Sequence, residues 1–453
     1  MADRAHIPSA YEQTSPEPIE RLTAPFARFA RFEAAGGVLL ILITVVAMIW
    51  ANSRWGQSYF DLFSIEVTAG FGDIVISKPF ILWINDALMA IFFFMVGLEI
   101  KREILVGELS SPKKAALPIA GAIGGMLVPA LFFVALNMGE TTIRGWGVPM
   151  ATDIAFALGL ITLAGRRAPL SLRIFLTSLA IVDDIGALAV IAIFYTENLQ
   201  TAYLTYAGIG LGVAFLFNAL RVRWPVAYLL LGFVVWYFVL KSGVHATIAG
   251  VAMAMAIPAS GRVKADRFRD AAGHALTVFS EKDVEGHSIK TSGVQRAAVR
   301  SIVQSGLQVL PPLHRLEHGI LPWVAFFIIP LFAFANAGVA LSGDVTTMIT
   351  GKLSLGIIVG LTLGKPIGIF LISWIAVKLK LAELPEGVGW RQILAAGCLG
   401  GIGFTMALFI SNLAFEGADL NAAKIGVLIG SLISTIAGLS LFFSMKEPPA
   451  PND

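Results

Sequence analysis

Polar stretches divide the chain into twelve apolar runs, most of them about 17 to 25 residues long. About 20 apolar residues in a helix, rising about 1.5 Å each, cross the roughly 30 Å of a bilayer's hydrocarbon core. The runs lie approximately at residues 34–51, 80–98, 115–136, 146–164, 174–195, 203–219, 225–240, 244–258, 321–341, 353–377, 393–413 and 422–443. We therefore predict an all-α membrane protein with 12 transmembrane helices, numbered one to twelve in chain order.

The composition supports this class of protein. Hydrophobic residues make up 57% of the chain and charged residues only 14%, against about 25% charged in soluble domains. Single-faced helical periodicity is absent from the runs, as expected for helices that are apolar on every side. The alternating pattern of an outer-membrane barrel is absent too. The one cysteine, Cys398, lies in an apolar run, so we expect no disulfide within the chain.

The polar segments and the basic residues predict the topology. If the N-terminal tail is cytoplasmic, 26 of the 33 Lys and Arg residues fall in cytoplasmic segments, six fall outside, and Lys365 lies within a helix. By the positive-inside rule we place both termini in the cytoplasm, and the net charge of +3 reflects this asymmetry rather than a nucleic-acid partner. The predicted divisions are a tail at 1–32, helices 1–8 at 33–258, a partly helical cytoplasmic linker at 259–320, helices 9–12 at 321–445 and a tail at 446–453.

Only a few charged residues lie well inside the runs, and most of them share one depth. Asp183 and Asp184 are adjacent at the middle of the fifth run, Lys365 is at the middle of the tenth, and Asp153 is near the middle of the fourth. Each charge costs about 2.5 to 3.5 kcal/mol at a helix centre, which implies a cavity and partners. Asp86 lies nearer the external end of its helix, where either a packing role or the exit of an ion funnel fits.

The alternative interpretation of these charged residues is that they form buried ion pairs that hold helices together. Lys365 opposite a carboxylate would be an ordinary packing pair. One cation does not neutralise both Asp183 and Asp184, because neighbours on a helix point about 100° apart. The pair therefore requires a second partner, either a small hard cation with oxygen ligands or a proton.

Two runs are poor continuous helices. The fourth carries Gly145, Gly147 and Pro149, and the eleventh carries Gly400, Gly401 and Gly403 in its backbone, followed by Thr405. These runs are seven apart, so they cross in opposite senses, and helices 3–5 and 10–12 are predicted to form an inverted-topology repeat with discontinuous crossing helices 4 and 11. Such paired interruptions indicate a transporter's midplane site, whereas tight packing through small residues is the alternative. Asp153 and Lys365 would then compensate the partial charges of the broken helix ends.

Six sequence pieces occur in an order that resembles the NhaA family of bacterial sodium/proton antiporters. They are ATDIAFALG, LAIVDDIGA, KSGVHAT, PLFAFANAGV, GKPIG and GGIGFTMALFI, and the resemblance covers roughly residues 26–445. It implies a multi-pass bacterial inner-membrane antiporter with twelve helices and two crossing, partly unwound helices. NhaA is itself a standard example of an inverted-repeat transporter, so this agreement is not independent of the repeat argument.

The resemblance also implies roles for individual residues. Asp184 resembles the principal sodium ligand, and Asp183 resembles its proton-exchanging neighbour. Thr152 and Asp153 resemble the unwound-helix residues beside the site, and Lys365 resembles the midplane lysine. A cytoplasmic pH-responsive cluster would comprise Glu99, Arg102, Glu103, Glu317 and His318, with His245 as a further candidate. On the residues alone, GLEIKREIL would be a solvated helix end and His245 a satisfied interior histidine.

The implied function is secondary transport without a cofactor, not enzyme catalysis. We expect sodium export in exchange for external protons, electrogenic and pH-regulated, with lithium as a further ion and a homodimer in the bilayer as the assembly. A sodium-coupled symporter of similar fold is the main rival. An intramembrane aspartyl protease would use the GxGD motif at residues 70–73, but that motif lies outside the apolar runs. A passive channel lacks the filter repeats it would need.

Overall fold

The computed structural model describes residues 35–71, 74–196, 199–261, 263, 265–281, 293–341 and 345–447. The predicted N-terminal tail, the centre of the linker and the last six residues lie outside the described residues. The first half contains α1 Ala35–Ala51, α2 Gly56–Ser64, α3 Phe80–Val106, α4 Pro112–Leu136, α5 Ile154–Leu163, α6 Leu170–Phe194, α7 Thr201–Ala219, α8 Pro225–Lys241 and α9 Thr247–Ala256. The second half contains α10 Ala265–Glu281, α11 Gly293–Val309, α12 Pro312–Ala337, α13 Val345–Thr350, α14 Lys352–Lys378, α15 Trp390–Gly400, α16 Phe404–Ala414 and α17 Gly417–Ser444.

The described part of the chain is mostly helical, and seven of its helices are long and apolar enough to cross a membrane: α3, α4, α6, α7, α12, α14 and α17. Three bent pairs raise the number to as many as ten spans. The first pair is α1 with α2, bent by 108°. The second is the 3-10 segment Thr141–Met150 with α5, and the third is α15 with α16, each bent by 45°. The helices α8 and α9 are apolar but shorter.

Close backbone approaches hold the central helices together. A Cβ on Gly124 of α4 would lie 2.0 Å from the carbonyl oxygen of Gly368 on α14, and the reverse substitution meets the same distance. A Cβ on Gly250 of α9 would lie 2.2 Å from the carbonyl oxygen of Ala90 on α3. Since lipid offers no hydrophobic drive to helix association, such small-residue contacts provide the packing energy.

A β-hairpin lies between α2 and α3, a departure from the purely helical prediction. Strand β1 Glu66–Phe71 pairs antiparallel with strand β2 Ile74–Pro79, in a register that places Glu66 opposite Pro79. The Trp83 indole N–H donates to the carbonyl of Val67 at 2.9 Å and fastens the hairpin to α3. The hairpin therefore continues the start of α3 at the predicted external face.

The linker contains α10 and α11, which pack against each other. At its base the Leu313 N–H donates to the carbonyl of Pro258 at 3.2 Å, and the Val263 N–H donates to Gln308 at 3.2 Å. The described linker is thus a helical hairpin whose ends meet beside α9 and α12.

Candidate functional site

The two interrupted helices meet at their breaks. The first break spans Ala151–Asp153 and the second spans Gly401–Gly403. The Asp153 N–H donates to the Ile402 carbonyl at 2.7 Å, and the Thr152 hydroxyl lies 3.0 Å from the Gly400 carbonyl oxygen. Each break thereby satisfies backbone groups that the other has freed, as non-helical backbone within a membrane requires.

Asp153 joins the N-terminal ends of two half-helices. One carboxylate oxygen accepts from the Phe156 N–H of α5 at 2.9 Å. The other accepts from the Thr405 N–H at 3.1 Å and from its hydroxyl at 2.5 Å, in the first turn of α16. Asp153 is only 2% exposed, so its negative charge lies in the field of both positive helix ends. Thr405 lies in the first turn of α16 and contacts Asp153 through both its backbone N–H and its side chain.

Lys365 lies at the C-terminal end of the 3-10 segment, just before the first break. It directly follows the π-helical turn Gly360–Gly364 of α14 and is fully buried. Its ammonium donates to an Asp183 oxygen at 2.6 Å and also to the Met150 carbonyl, which ends the 3-10 segment. A cation at a C-terminal helix end is the favourable arrangement, so the contacts of Asp153 with α5 and α16 and of Lys365 with Met150 suit charge compensation at three of the four broken ends.

Asp183 and Asp184 are neighbours with contrasting surroundings. One Asp183 oxygen accepts from Lys365 and lies 2.5 Å from the Thr152 hydroxyl. That hydroxyl has one hydrogen, so it donates either to Asp183 or to the Gly400 carbonyl at any moment.

Asp184 has no such partner. Among the described residues, neither of its oxygens forms a hydrogen bond, although only 1% of the side chain is exposed. The second Asp183 oxygen is likewise unpaired. An ionised carboxylate in such a place is several kcal/mol too costly without a counter-charge, so this geometry suits a cation or a proton. No group of three or more His, Cys, Asp or Glu residues suited to a resident metal occurs in the described part of the chain.

A membrane protein with two crossed, interrupted helices and unpaired carboxylates at the crossing has the architecture of a secondary transporter. The sequence profile of the family described as Na+/H+ antiporter 1 matches residues 27–442. The chain belongs to this family of secondary transporters and is not an enzyme.

Curated relatives agree over nearly the full length. The Na(+)/H(+) antiporter NhaA of Oleidesulfovibrio alaskensis is 53% identical over 94% of this chain and 95% of its own. That of Koribacter versatilis is 48% identical over 95% of both chains. Among solved structures, the sodium proton antiporter MjNhaP1 of Methanocaldococcus jannaschii matches with a TM-score of 0.50 at 12% identity, covering 93% of this chain and 99% of its own. This last likeness supports the fold alone.

A cavity of about 1030 Å³ opens where α3 begins and α16 ends. Asp86 and His245 both line it, and Asp86 binds Lys78 of β2 at 2.8 Å. The buried Lys424 of α17 lines it as well, a residue that the sequence reasoning missed. Tyr195, on the same wall, donates from its phenol to the Arg144 carbonyl at 2.7 Å.

Three asparagines form an amide cluster at the floor of this cavity. Asn336 of α12 donates to Asn85 of α3 at 2.9 Å, and Asn412 of α16 donates to Asn336 at 2.9 Å. The sequence signal was one amide near the external end of each of three apolar runs. The cluster joins one half of a broken helix to two continuous helices.

A layer of three phenylalanines lies on the same three helices, toward the midplane. Phe409 of α16 has ring centroids 5.6 Å from Phe93 of α3 and 6.2 Å from Phe332 of α12. All three are at most 1% exposed. Amides and rings together therefore join α16 to α3 and α12 beside the cavity.

The predicted pH-responsive residues are partly brought together at the opposite end of α3. Arg102 lies 3.7 Å from Glu99, 3.1 Å from Glu103 and 3.4 Å from Glu317 of α12. We call these four residues the Arg102 cluster.

The two histidines fall outside these pairings. His318 stacks on His314, with ring centroids 4.2 Å apart. His245 lies beside Phe409, 6.4 Å between centroids, in the cavity at the other end of α3. The structure therefore does not bring His245 to the Arg102 cluster, because it precedes α9 at the end that faces the start of α3.

Lys101, next to Arg102 on α3, was not singled out by the sequence. Its ammonium donates to the carbonyls of Met255 and Ile257 at 2.6 and 2.5 Å. These carbonyls at the C-terminal end of α9 have no hydrogen-bond partner within their own helix, so Lys101 caps that helix and ties it to α3.

Proposed function

We propose that the chain exports sodium in exchange for external protons and that each cycle moves net charge. The observation that carries this proposal is the contrast at the crossing: Asp183 is paired with Lys365, whereas both oxygens of the buried Asp184 lack a partner in the part of the chain that the structure describes. Oxygen ligands of this kind suit a small hard cation, and a proton satisfies the same carboxylate by neutralising it.

The exchange follows from competition at these carboxylates. Asp184 serves as the principal sodium ligand, and Asp183 is the neighbour that exchanges a proton. The Thr152 hydroxyl and the Gly400 carbonyl add oxygens beside them. A protonated carboxyl is a poor sodium ligand, and an ionised pair is unstable there without sodium. If the pair takes up two protons or one sodium ion, one positive charge enters per cycle and the membrane potential drives sodium out.

Alternating access requires two parts of the protein to move around the crossing. The proposed architecture is twelve spans with inverted repeats at helices 3–5 and 10–12. It is supported by the seven long spans, the three bent pairs and the apolar α8 and α9, which together match the twelve runs. The breaks fall in the fourth and eleventh of these, and both described ends of the chain then lie on one side, the cytoplasmic side.

Both faces have a candidate route to the carboxylates. On the external side Asp86 lies in the large cavity, above the asparagine and phenylalanine layers that would have to separate for release. On the cytoplasmic side a cavity of about 340 Å³ is lined by Ser178 of α6, five residues before Asp183. Each route ends short of the crossing, which fits an occluded intermediate of the cycle.

The remaining expectations concern regulation and assembly. The Arg102 cluster, with His318 nearby, would set the pH response, because its acids share one base near the cytoplasmic ends of α3 and α12. Lithium would compete at the same carboxylates, and a homodimer in the bacterial inner membrane would be the working unit.

Transport currents from proteoliposomes test the proposal. An imposed sodium gradient should give a current whose sign shows net positive charge moving in the direction opposite to sodium. An imposed proton gradient should drive sodium in the direction opposite to the protons. Strictly electroneutral exchange would refute the two-proton stoichiometry. Sodium and protons moving in the same direction would favour the symporter.

A further inference from the structure

The linker hairpin leaves one side of α11 uncovered. The side that packs toward α10 contains the buried Gln295 and Ala298, 3% and 5% exposed. A neighbouring side, about 110° around the helix, carries exposed apolar side chains spaced four residues apart, Val299, Val303 and Leu307, at 41%, 55% and 45% exposure, and Leu310 follows just past the helix end at 43%. Such spacing places Val299, Val303 and Leu307 on one stripe of the helix.

Basic residues accompany this stripe. Arg296 and Arg300 are exposed; at about 100° per residue, Arg296 projects within the stripe between Val303 and Leu307, and Arg300 projects at its edge beside Leu307. From residue 286 to 316 the chain contains four Lys or Arg residues and no Asp or Glu. Ser301 faces away from the stripe, on the side that also carries the exposed Val294. An apolar stripe accompanied by arginines, whose long side chains reach to the headgroups, is typical of helices that lie in a membrane interface.

The base of the hairpin holds this surface near the bilayer. The Leu313 to Pro258 bond closes the linker directly beside the last turn of α9, a short apolar helix, and the first turn of α12, a helix long enough to span a membrane. A helix of 17 residues tethered at that level meets lipid headgroups at high effective concentration. The inner leaflet is the negatively charged one, which complements the acid-free stretch.

We propose that α11 lies on the cytoplasmic leaflet, with its apolar stripe in the headgroup boundary and Arg296 and Arg300 on anionic phospholipid. The linker is then a lipid-sensing anchor rather than a passive connection. Since an arginine near an anionic surface contributes about fivefold in affinity, removing both should weaken the association about 25-fold. The inference rests on the cytoplasmic placement of the linker and is independent of the ion site.

Spin labels on the full chain in nanodiscs test the proposal. Val303→Cys places a label on the stripe, and Ser301→Cys, about 160° around the helix, is the matched control. Both are built on Cys398→Ala, and transport in proteoliposomes checks that each variant folds. With about a third anionic lipid, the label at 303 should become accessible to oxygen and protected from a water-soluble nickel complex, while the label at 301 stays accessible to nickel. Neutral lipid, or Arg296→Gln with Arg300→Gln, should reverse the protection at 303.

Other occupants of the stripe give different results. Equal nickel access at 303 and 301 in every lipid would refute the proposal. Dipolar broadening between labels at 303 on two copies would instead show that a second chain covers the stripe, which also refutes it. Protection at 303 that persists in neutral lipid and after loss of both arginines would point to contact within the chain and would refute it as well.

Discussion

The crossing at the midplane and the Arg102 cluster both gather several acids around one base, but they differ in burial. Lys365 and Asp183 are at most 1% exposed and bonded at 2.6 Å. Arg102 is 36% exposed, and its three carboxylates lie 3.1 to 3.7 Å away. At the buried crossing, the stability of each charge depends on a particular neighbouring side chain. At the partly exposed Arg102 cluster, water can replace a lost partner. The crossing should therefore control both stability and transport, and the cluster should control mainly pH response.

Replacement of the buried base should have the largest effect on stability. Lys365→Ala leaves Asp183 and the Met150 carbonyl without their donor, and breaking a buried pair from one side costs about 3 to 5 kcal/mol. Lys352→Ala, at the start of the same helix, is the matched control, since its 2.6 Å bond to Glu140 is exposed and is worth at most about 1 kcal/mol. The free energy of unfolding in detergent is measured for both variants. Equal losses of stability would show that the two regions do not differ.

Removal of the acid that joins the half-helices should have the next largest effect. Asp153→Ala deprives the Phe156 and Thr405 amides and the Thr405 hydroxyl of their acceptor, about 1 kcal/mol each, for a total of about 3 kcal/mol. Glu317→Ala in the Arg102 cluster should cost about 1 kcal/mol, because Glu317 is buried but its partner Arg102 is 36% exposed and can be hydrated. The same unfolding assay applies, and a smaller loss for Asp153→Ala than for Glu317→Ala would overturn the comparison.

Substitutions that add side-chain volume should also affect the stability of the two regions differently. In Gly401→Ala the new Cβ would lie 2.3 Å from the Leu361 carbonyl oxygen, so the breaks must shift, at about 2 kcal/mol. Gly319→Ala, two residues from Glu317, meets no atom within 4 Å and should be neutral or gain up to about 1 kcal/mol of helix propensity. Melting temperatures of the two variants give the answer. Similar melting temperatures would mean that the crossing is not tightly packed.

The smallest stability change is expected in the Arg102 cluster, accompanied by a change in regulation. Arg102→Gln should cost less than about 1 kcal/mol, yet the pH profile of transport should move to higher pH, because protonation then relieves repulsion among acids that have lost their shared base. Arg166→Gln, which removes an exposed pair with Glu447, is the control and should leave the profile unchanged. An unaltered profile in Arg102→Gln would remove the cluster from pH response.

Local sequence rules predicted much of this arrangement. The helical segments follow the apolar runs, and Gly and Pro weaken helices wherever they occur, so the two breaks were readable. Counting along the fifth and tenth runs gave the common depth of Asp183 and Lys365. Partner choice was not readable, because the sequence does not say which carboxylate meets the lysine. That Asp184 remains unpaired depends on the rotation of α6 against α14.

Other features depend on contacts between distant segments. The bonds that join Asn336 to Asn85 and Asn412 link three runs, and a single amide in each run carries little information alone. His245 was assigned by resemblance, and only the packing of α9 shows that it lies far along α3 from Arg102. The β-hairpin did have a signal, since Gly-Asp at residues 72–73 separates two short strand-like stretches, but those stretches read as polar loop beside such long apolar runs.

The most direct test of the account is sodium-induced proton release from the purified protein in weakly buffered detergent solution. Asp184→Asn removes a carboxylate without hydrogen-bond partners among the described residues, so the variant should fold, and a melting curve checks this. Wild-type protein, and the exposed control Asp61→Asn, should release protons on sodium addition, while Asp184→Asn should release none. Proton release from Asp184→Asn comparable with wild type would contradict the account and move the ion site elsewhere.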